Sequence, residues 1–434
     1  MLDRNRRGAW TCPSAQLYPH QWLWDSCFIA IGLAHDDPHR AAGELESLFR
    51  GQWANGMLPH MVFADDVEDI GSERIWQSSE QPLAPEDVAT SCITQPPLPS
   101  VAAERVARAL PSAEQTAFLS RIFPGLVAYH EWLYRERDPE HRGLVTLIHP
   151  WECGLDTTPP WMDALARMPT PWWARAATRL HLAYLVRWFR RDTKYVPPAQ
   201  RPTDDEGLRM LVLAELGKRH GFELRRMPSD RAVLIEDLGF NSFLAAANRS
   251  LAHIADTIEE PLPAELTACF TRTKAAFDQL WDDDAGQYFS RDATTGELLR
   301  VATVATFLPL FAGVVAPPRA GRVLALLRQP SGYWPSFPVP TVPTDDPSFR
   351  EEAYWKGPTW VNMNWCVVQA LEAYGDGATA EQLVDRTLAL VDAGGFFEYF
   401  SPLTGRGYGA REFSWTAGLT LDLLARRRAD RDLL

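Results

Sequence analysis

The chain has 434 residues, enough for one large barrel with a substantial core or for two ordinary domains. Apolar residues make up 46% and charged residues 23%, a globular balance, and the formal net charge of -13 comes without the basic stripe that a nucleic-acid binder carries. No run of about eighteen apolar residues marks a membrane span, and the charged N-terminus MLDRNRRGAW lacks the apolar segment of a secretory signal, so a cytoplasmic protein without nucleic-acid or membrane partners is expected.

Helical periodicity dominates from there on. Apolar residues recur at i, i+3, i+4 and i+7, the mark of one buried helix face, through 20–36, 39–53, 101–110, 113–137, 172–191, 206–221, 237–258, 263–281, 302–314, 319–327, 360–374, 380–393 and 414–427. Alternating stretches are short, and 144–148 and 287–289 are expected to form small hairpins or edges. Prolines gather between the helices, at 96–97, 159–160, 197–198 and 335–347, in long loops of the kind that usually serve function. The pattern predicts a single all-α domain over 1–434, with 157–200 as a loop or cap over its site.

The six cysteines are scattered without a CxxC pair and several lie in apolar stretches, so buried free thiols are expected and a metal site is not. The 17 tryptophans carry more information. Trp22, Trp24, Trp53, Trp151, Trp355 and Trp360 sit beside polar or charged residues, a pattern suited to a sugar pocket, where C–H faces pack on rings and hydroxyls take hydrogen bonds from the rim.

Five segments could carry chemistry. LYPHQWLWDS crowds Tyr18, Trp22, Trp24 and Asp25 at one helix start, beyond any capping need. QWANGMLPHMVF adds a turn and His60. TLIHPWECGLDTTPPW sets Glu152 and Asp156 around a glycine among aromatics such as Trp151 and Trp161, whose apolar walls would keep a carboxylic acid protonated. EEAYWKGPTWVNMNW brings Tyr354, Trp355, Lys356 and Trp360 to a Gly-Pro turn that opens a helix. FFEYFSPLTGRGYGAREFSWTAG holds Glu398 and Glu412, either of which could be a base by chemistry alone. Two carboxylates far apart in sequence, each among aromatics, fit glycoside hydrolysis, in which an inverting enzyme spaces them about 6.5–9.5 Å apart to admit a water.

The ordered set YPHQWLWDS, NGMLPHMVF, ITQPP, HPWECGLDTTPPW, YWKGPTWVNMNW and EYFSPLTGRGYG with FSWTA resembles glycoside hydrolase family 63, in its bacterial branch of mannosylglycerate and glucosylglycerate hydrolases. The likeness runs from Leu17 to Leu424. It implies an (α/α)6 barrel with long capping loops, inversion at the anomeric carbon and no organic cofactor. It implies Asp156 as general acid, the last residue of the segment that matches WESGxD, and Glu398 as general base. Glu412 becomes a pocket or supporting residue. Asp25 would hold sugar hydroxyls or seat the nucleophilic water, and Tyr18, Trp22, Trp24, Gln95, Trp151, Tyr354, Trp355 and Trp360 would line the site. Arg201, in AQRPTD, would grip the carboxylate of a glycosyl-glycerate, with Lys356 a second candidate cation.

The sequence departs from the branch at Cys153, where serine is usual, in a longer segment between Asp156 and Arg201, and at 64–75, which lacks an aromatic to close over glycerate. The start lies close to the first motif, so a leading helix of the relatives is expected to be missing. The expected activity is hydrolysis of a small α-glycoside, 2-O-α-glucosyl- or mannosyl-glycerate, to the free sugar and glycerate. The alternatives are an α-glucosidase on a neutral disaccharide or short oligosaccharide, which would not need Arg201, and a non-catalytic sugar-binding barrel. An epimerase or lyase would instead rest on His60 or His149.

Overall fold

In the computed structural model, which describes residues 1–67, 74–171 and 192–432, the segment Leu23–Leu33 (α1) has no polar face: all eleven of its residues are buried. A helix that is apolar all round belongs inside a core, and α1 packs there against Pro99–Ala109 (α3) after the solvent-facing Pro38–Leu48 (α2). The alternation continues along the chain. Ser112–Arg137 (α4) lies outside, and the short helices Pro159–Arg167 (α5) and Asp204–Arg219 (α6) intervene. Leu238–Ile258 (α7) returns to the core, Ala264–Ala276 (α8) leaves it, and Leu308–Ala312 (α9) returns. Pro317–Leu327 (α10), Val361–Ala373 (α11), Gly377–Gly394 (α12) and Ser414–Asp432 (α13) complete the order.

The core helices close a ring: α1 on α3, α3 on α7, α7 on α9, α9 on α11, α11 on α13, and α13 back on α1. The outer layer bridges neighbours, with α2 across α1 and α3, α4 across α3 and α7, α8 across α7 and α4, and α12 across α11 and α13. Closure requires α1 and α13 to approach closely. A Cβ added at Gly32 would lie 2.0 Å from the Gly418 carbonyl oxygen, so only glycine lets these two backbones meet.

Caps explain several boundaries. Asp37 accepts the Arg40 amide at 3.0 Å ahead of Pro38, Asp237 accepts that of Phe240 at 2.9 Å, and Thr203 and Glu206 form a reciprocal box at the start of α6. All six cysteines are buried and unpaired, and no helix is long and apolar enough to cross a membrane among the described residues.

Several elements differ from the sequence pattern. The helix expected over 20–36 begins only at Leu23, because Gln21–Trp22 pairs with Met61–Val62. The helix expected over 263–281 stops at Ala276, and Trp281–Asp282 turns into a hairpin with Gln287–Tyr288 through Gly286, whose φ of 67° the turn needs. The 144–148 stretch makes only an isolated bridge, Leu147 to Ile235. The Pro-rich segment after Asp156 contains a helix, α5, because Pro159 and Pro160 occupy its first turn, where no amide donor is required. The helix expected over 172–191, and with it much of the expected 157–200 cap, lies outside the described residues, as does part of 64–75.

Replacing Gly32 by alanine is expected to cost about 2–3 kcal/mol by overpacking the α1–α13 contact. It should lower the urea midpoint of unfolding at unchanged m-value.

Candidate active site

The starts of the inner helices converge on one place. Trp24 and Asp25 lie in the first turn of α1, Gln95 just precedes α3, Trp360 caps α11 and Trp415 opens α13. The Trp24 ring stands edge-on to Trp415 at 5.2 Å, Trp360 lies 5.7 Å from Trp415, and the Gln95 side chain accepts the Trp24 amide at 3.5 Å. Trp355 stacks on Trp360 at 3.6 Å and 4°, and Trp360 in turn on Tyr399 at 4.6 Å. The result is a continuous aromatic wall, with Trp22 edge-on to both Tyr18 and His60 at its margin.

Glu398 sits in the strand Phe397–Phe400 (β1), paired antiparallel with Gly407–Arg411 (β2), and is 1% exposed. A buried carboxylate needs donors, and it has four. Arg201 grips it with both terminal nitrogens, Nη2 to Oε2 at 2.6 Å and Nη1 to Oε1 at 3.3 Å. Tyr18 Oη donates to Oε1 at 2.9 Å, and the Ala410 amide donates to Oε2 at 2.8 Å. The bend that aims that amide requires Gly409 at φ 72°, where a Cβ would come within 2.4 Å of Oε2. Arg201 follows the turn Pro198–Gln200. Its guanidinium also donates to Tyr18 Oη at 2.6 Å and lies over the Tyr354 ring at 5.0 Å and the Tyr18 ring at 5.7 Å. Tyr354 holds a φ of 47°, a costly position for a bulky residue.

Asp156 lies in the loop between the turn Pro150–Glu152 and α5. It is half-buried, and no side chain hydrogen-bonds it among the described residues. Burial pushes its carboxyl up to about 8; the charge of Glu398 adds to this, while its own backbone amide and Arg201 oppose it. Asp25, 4% exposed, is held well above the usual carboxylate range by burial, then by the charges of Glu398, Asp156 and Glu44. The three carboxyl groups thus share one electrostatic environment, and only Glu398 has a cation against it. Two contacts fix the Asp156 loop to the aromatic wall. Gly154, at φ 78°, leaves room for the Trp24 ring, which a Cβ would meet at 2.7 Å, and Thr157 Oγ1 accepts the Trp355 amide at 3.4 Å.

The neighbouring carboxylate, Glu152, is fully buried and occupied. It takes Arg137 Nη2 at 2.6 Å and the amides of Ile148 and His149 at 2.8 and 3.3 Å, which folds the loop rather than serving a ligand. His149 is also committed, accepting the Trp151 amide at 3.2 Å and donating to the Met210 carbonyl at 3.0 Å. Burial, with a further push from His149, lowers His60 to about 3, so it stays neutral, and its Nδ1 meets Ser91 Oγ at 2.5 Å. Neither imidazole is poised as a base.

Other residues singled out in the sequence lie elsewhere. Trp151, half-buried, packs on His149 at 4.4 Å and Trp76 at 5.8 Å. Trp161 is committed to Asp237 through a 3.0 Å bond. Lys356 forms an ion pair with Glu206 and so ties its loop to α6. Glu412 points to the surface, about half exposed, and pairs with Arg4 at 2.6 Å, away from the pocket. Sequence reasoning did not single out Gly409, Arg137 or Trp415. The Gly-Arg-Gly-Tyr-Gly run announces the first and the FSWTA segment contains Trp415, but nothing local marks Arg137. Among the described residues no cluster of His, Cys, Asp and Glu could hold a metal ion.

Over residues 18–416 the chain matches the family model described as the mannosylglycerate hydrolase MGH1-like glycoside hydrolase domain. It is 40% identical over 429 residues to the mannosylglycerate hydrolase of Thermus thermophilus, across 97% of this chain and 98% of that one. It is 33% identical over 440 residues to the glucosylglycerate hydrolase of Mycolicibacterium hassiacum, across 98% and 96%. In three dimensions it is similar to the family 63 mannosylglycerate hydrolase of Thermus thermophilus crystallised with Tris and D-glycerate, with a TM-score of 0.87 at 37% identity over 98% of each chain. The ring of inner helices is an (α/α)6 barrel.

Removing Glu152 by alanine leaves Arg137 buried and unpaired, which should cost about 3–5 kcal/mol. Urea unfolding of the Glu152→Ala variant checks this.

Proposed function

The chain belongs to the mannosylglycerate hydrolase MGH1-like family of glycoside hydrolases, and from that premise we propose that it hydrolyses a 2-O-α-glycosyl-glycerate by inversion, with Asp156 as general acid and Glu398 as general base. One observation carries the assignment. The two carboxyl groups lie in one site but in opposite environments: Asp156 is pushed up to about 8 by burial, which Arg201 opposes only in part, and it accepts no side-chain hydrogen bond among the described residues, whereas Glu398 accepts four hydrogen bonds, two of them from Arg201. Such a division supplies a proton donor and a proton acceptor at one pH.

Asp156 gives its proton to the glycosidic oxygen as the bond from that oxygen to the anomeric carbon breaks. Glu398 takes a proton from a water whose oxygen bonds the anomeric carbon from the opposite face. The products are the free sugar, inverted at that carbon, and glycerate. Asp25, whose carboxyl burial and the charge of Glu398 push well above the usual range, is suited to hold a sugar hydroxyl or orient the water. The buried wall of Trp24, Trp355 and Trp360 backs the partly exposed rings of Tyr18, Trp22 and Tyr354, which suit the apolar faces of a pyranose ring. Trp22 and Trp355 keep buried indole N–H groups without partners among the described residues, donors suited to substrate hydroxyls. The relative crystallised with D-glycerate supports a glycerate leaving group, and Arg201 is the cation of this site suited to its carboxylate. We propose action on such a solute inside the cell.

Asp156→Asn and Glu398→Gln should each lower kcat by about 1000-fold on glucosylglycerate or mannosylglycerate. Because the acid must carry its proton, kcat of the unaltered enzyme should hold through neutral pH and fall as pH rises through about 8. A reducing-sugar assay across pH measures both. Near-normal turnover by Asp156→Asn would overturn the assignment.

A further inference from the structure

A general base must offer a lone pair to water. A carboxylate has about four acceptor positions on its two oxygens. At Glu398 all four are matched by protein donors: Tyr18 Oη and Arg201 Nη1 on Oε1, and Arg201 Nη2 and the Ala410 amide on Oε2. In this arrangement the base has no position left for a nucleophilic water, so one donor must yield before the reaction.

The four differ in their freedom to yield. The Ala410 amide is fixed by the β1–β2 hairpin and the bend at Gly409. Tyr18 is held by Trp22 at 5.6 Å and Phe413 at 5.9 Å. Arg201 is tied to the protein differently: its guanidinium hydrogen-bonds Glu398 and Tyr18, and its other contacts among the described residues include the faces of the Tyr18 and Tyr354 rings, which lack the directionality of a hydrogen bond and leave it free to exchange one carboxylate for another. Its Nε is buried and without a hydrogen-bond partner among the described residues. A buried orphan donor is costly, so an acceptor arriving at that edge of the guanidinium would satisfy Arg201 better than its present position does.

We propose that Arg201 is a substrate-operated catch on the base: the carboxylate of the glycosyl-glycerate takes the guanidinium from Glu398 and so opens a lone pair for water. This rests on the proposed function and gives Arg201 a second role beyond gripping the substrate. It makes the aglycone's charge a condition for turnover as well as for binding. A neutral glycoside of the same shape would enter the pocket and meet a base still occupied.

The test compares the α-glycosyl-glycerate with the matching α-glycosyl-glycerol, in which the carboxylate is replaced by a hydroxymethyl group. With unaltered enzyme the catch predicts kcat on the glycerol glycoside about 100-fold or more below that on the glycerate glycoside, the size of a general-base contribution. Added formate, a carboxylate small enough to sit beside the neutral aglycone, should raise that low kcat. In Arg201→Ala the kcat on the glycerol glycoside should rise about tenfold above the unaltered enzyme's, while kcat/KM on the glycerate glycoside falls. Equal kcat on the two glycosides, with the difference confined to KM, would make Arg201 a simple anchor and overturn the catch while leaving the proposed function intact. Loss of kcat on both substrates in folded Arg201→Ala would make it a fixed prop and overturn the catch as well. No turnover of the glycerate glycoside by unaltered enzyme would overturn the proposed function and the catch with it. The kcat comparison on unaltered enzyme needs no variant and stands even if Arg201→Ala does not fold.

Discussion

Burying the charge of Glu398 draws on three separate parts of the chain: Tyr18 ahead of the first inner helix, Arg201 at the end of a turn, and the facing strand, where the missing side chain of Gly409 lets the Ala410 amide approach. A carboxylate inside a barrel lined with tryptophan is tolerable only when its charge is met by hydrogen bonds and a cation. The cation is spent on this one group. Asp156 and Asp25 are left mainly to burial and to the charge of Glu398, which push both carboxyls above the ordinary carboxylate range. The chemical asymmetry of the site follows from having one well-placed guanidinium for three carboxyls.

The aromatic residues give that asymmetry its rigidity. Trp24, Trp355, Trp360, Tyr399 and Trp415 form one packed wall across the starts of α1, α11 and α13. Glycines let functional segments approach this wall and one another. Gly154 brings the Asp156 loop onto Trp24, and Gly32 and Gly418 bring α1 and α13 together. The Arg137–Glu152 pair fixes the loop that carries Asp156, and Glu152 is used up in doing so. The scaffold role and the proposed catalytic role therefore fall to two carboxylates only four positions apart.

In the proposed reading, substrate chemistry enters through Arg201. Its terminal nitrogens reach Glu398 and Tyr18, and its Nε is buried without a partner among the described residues. An anionic aglycone brings the acceptor that this donor lacks. Recognition of charge at the leaving group and the state of the base can thus be coupled through a single side chain, with no movement of the barrel.

The helices, and hence the all-α class, were legible in the sequence because periodicity is a local property, and caps such as Asp37, Thr203 and Asp237 mark their starts. The aromatic-rich segments around Tyr18, Asp156, Tyr354 and Glu398 were legible too, since residue type and neighbours suffice to mark them. The helix after Asp156 was hidden because prolines in a first turn look like a loop. The sequence could not say by its own chemistry which of Glu152 and Asp156, or of Glu398 and Glu412, belongs to the site. That depends on desolvation and on partners from distant segments: Arg137 for Glu152, Arg4 for Glu412, Arg201 for Glu398, and no side chain for Asp156 among the described residues. Only tertiary structure distributes the cations, and the distribution of cations decides which carboxyl is scaffold, which is surface, which is held as an acceptor and which keeps its proton.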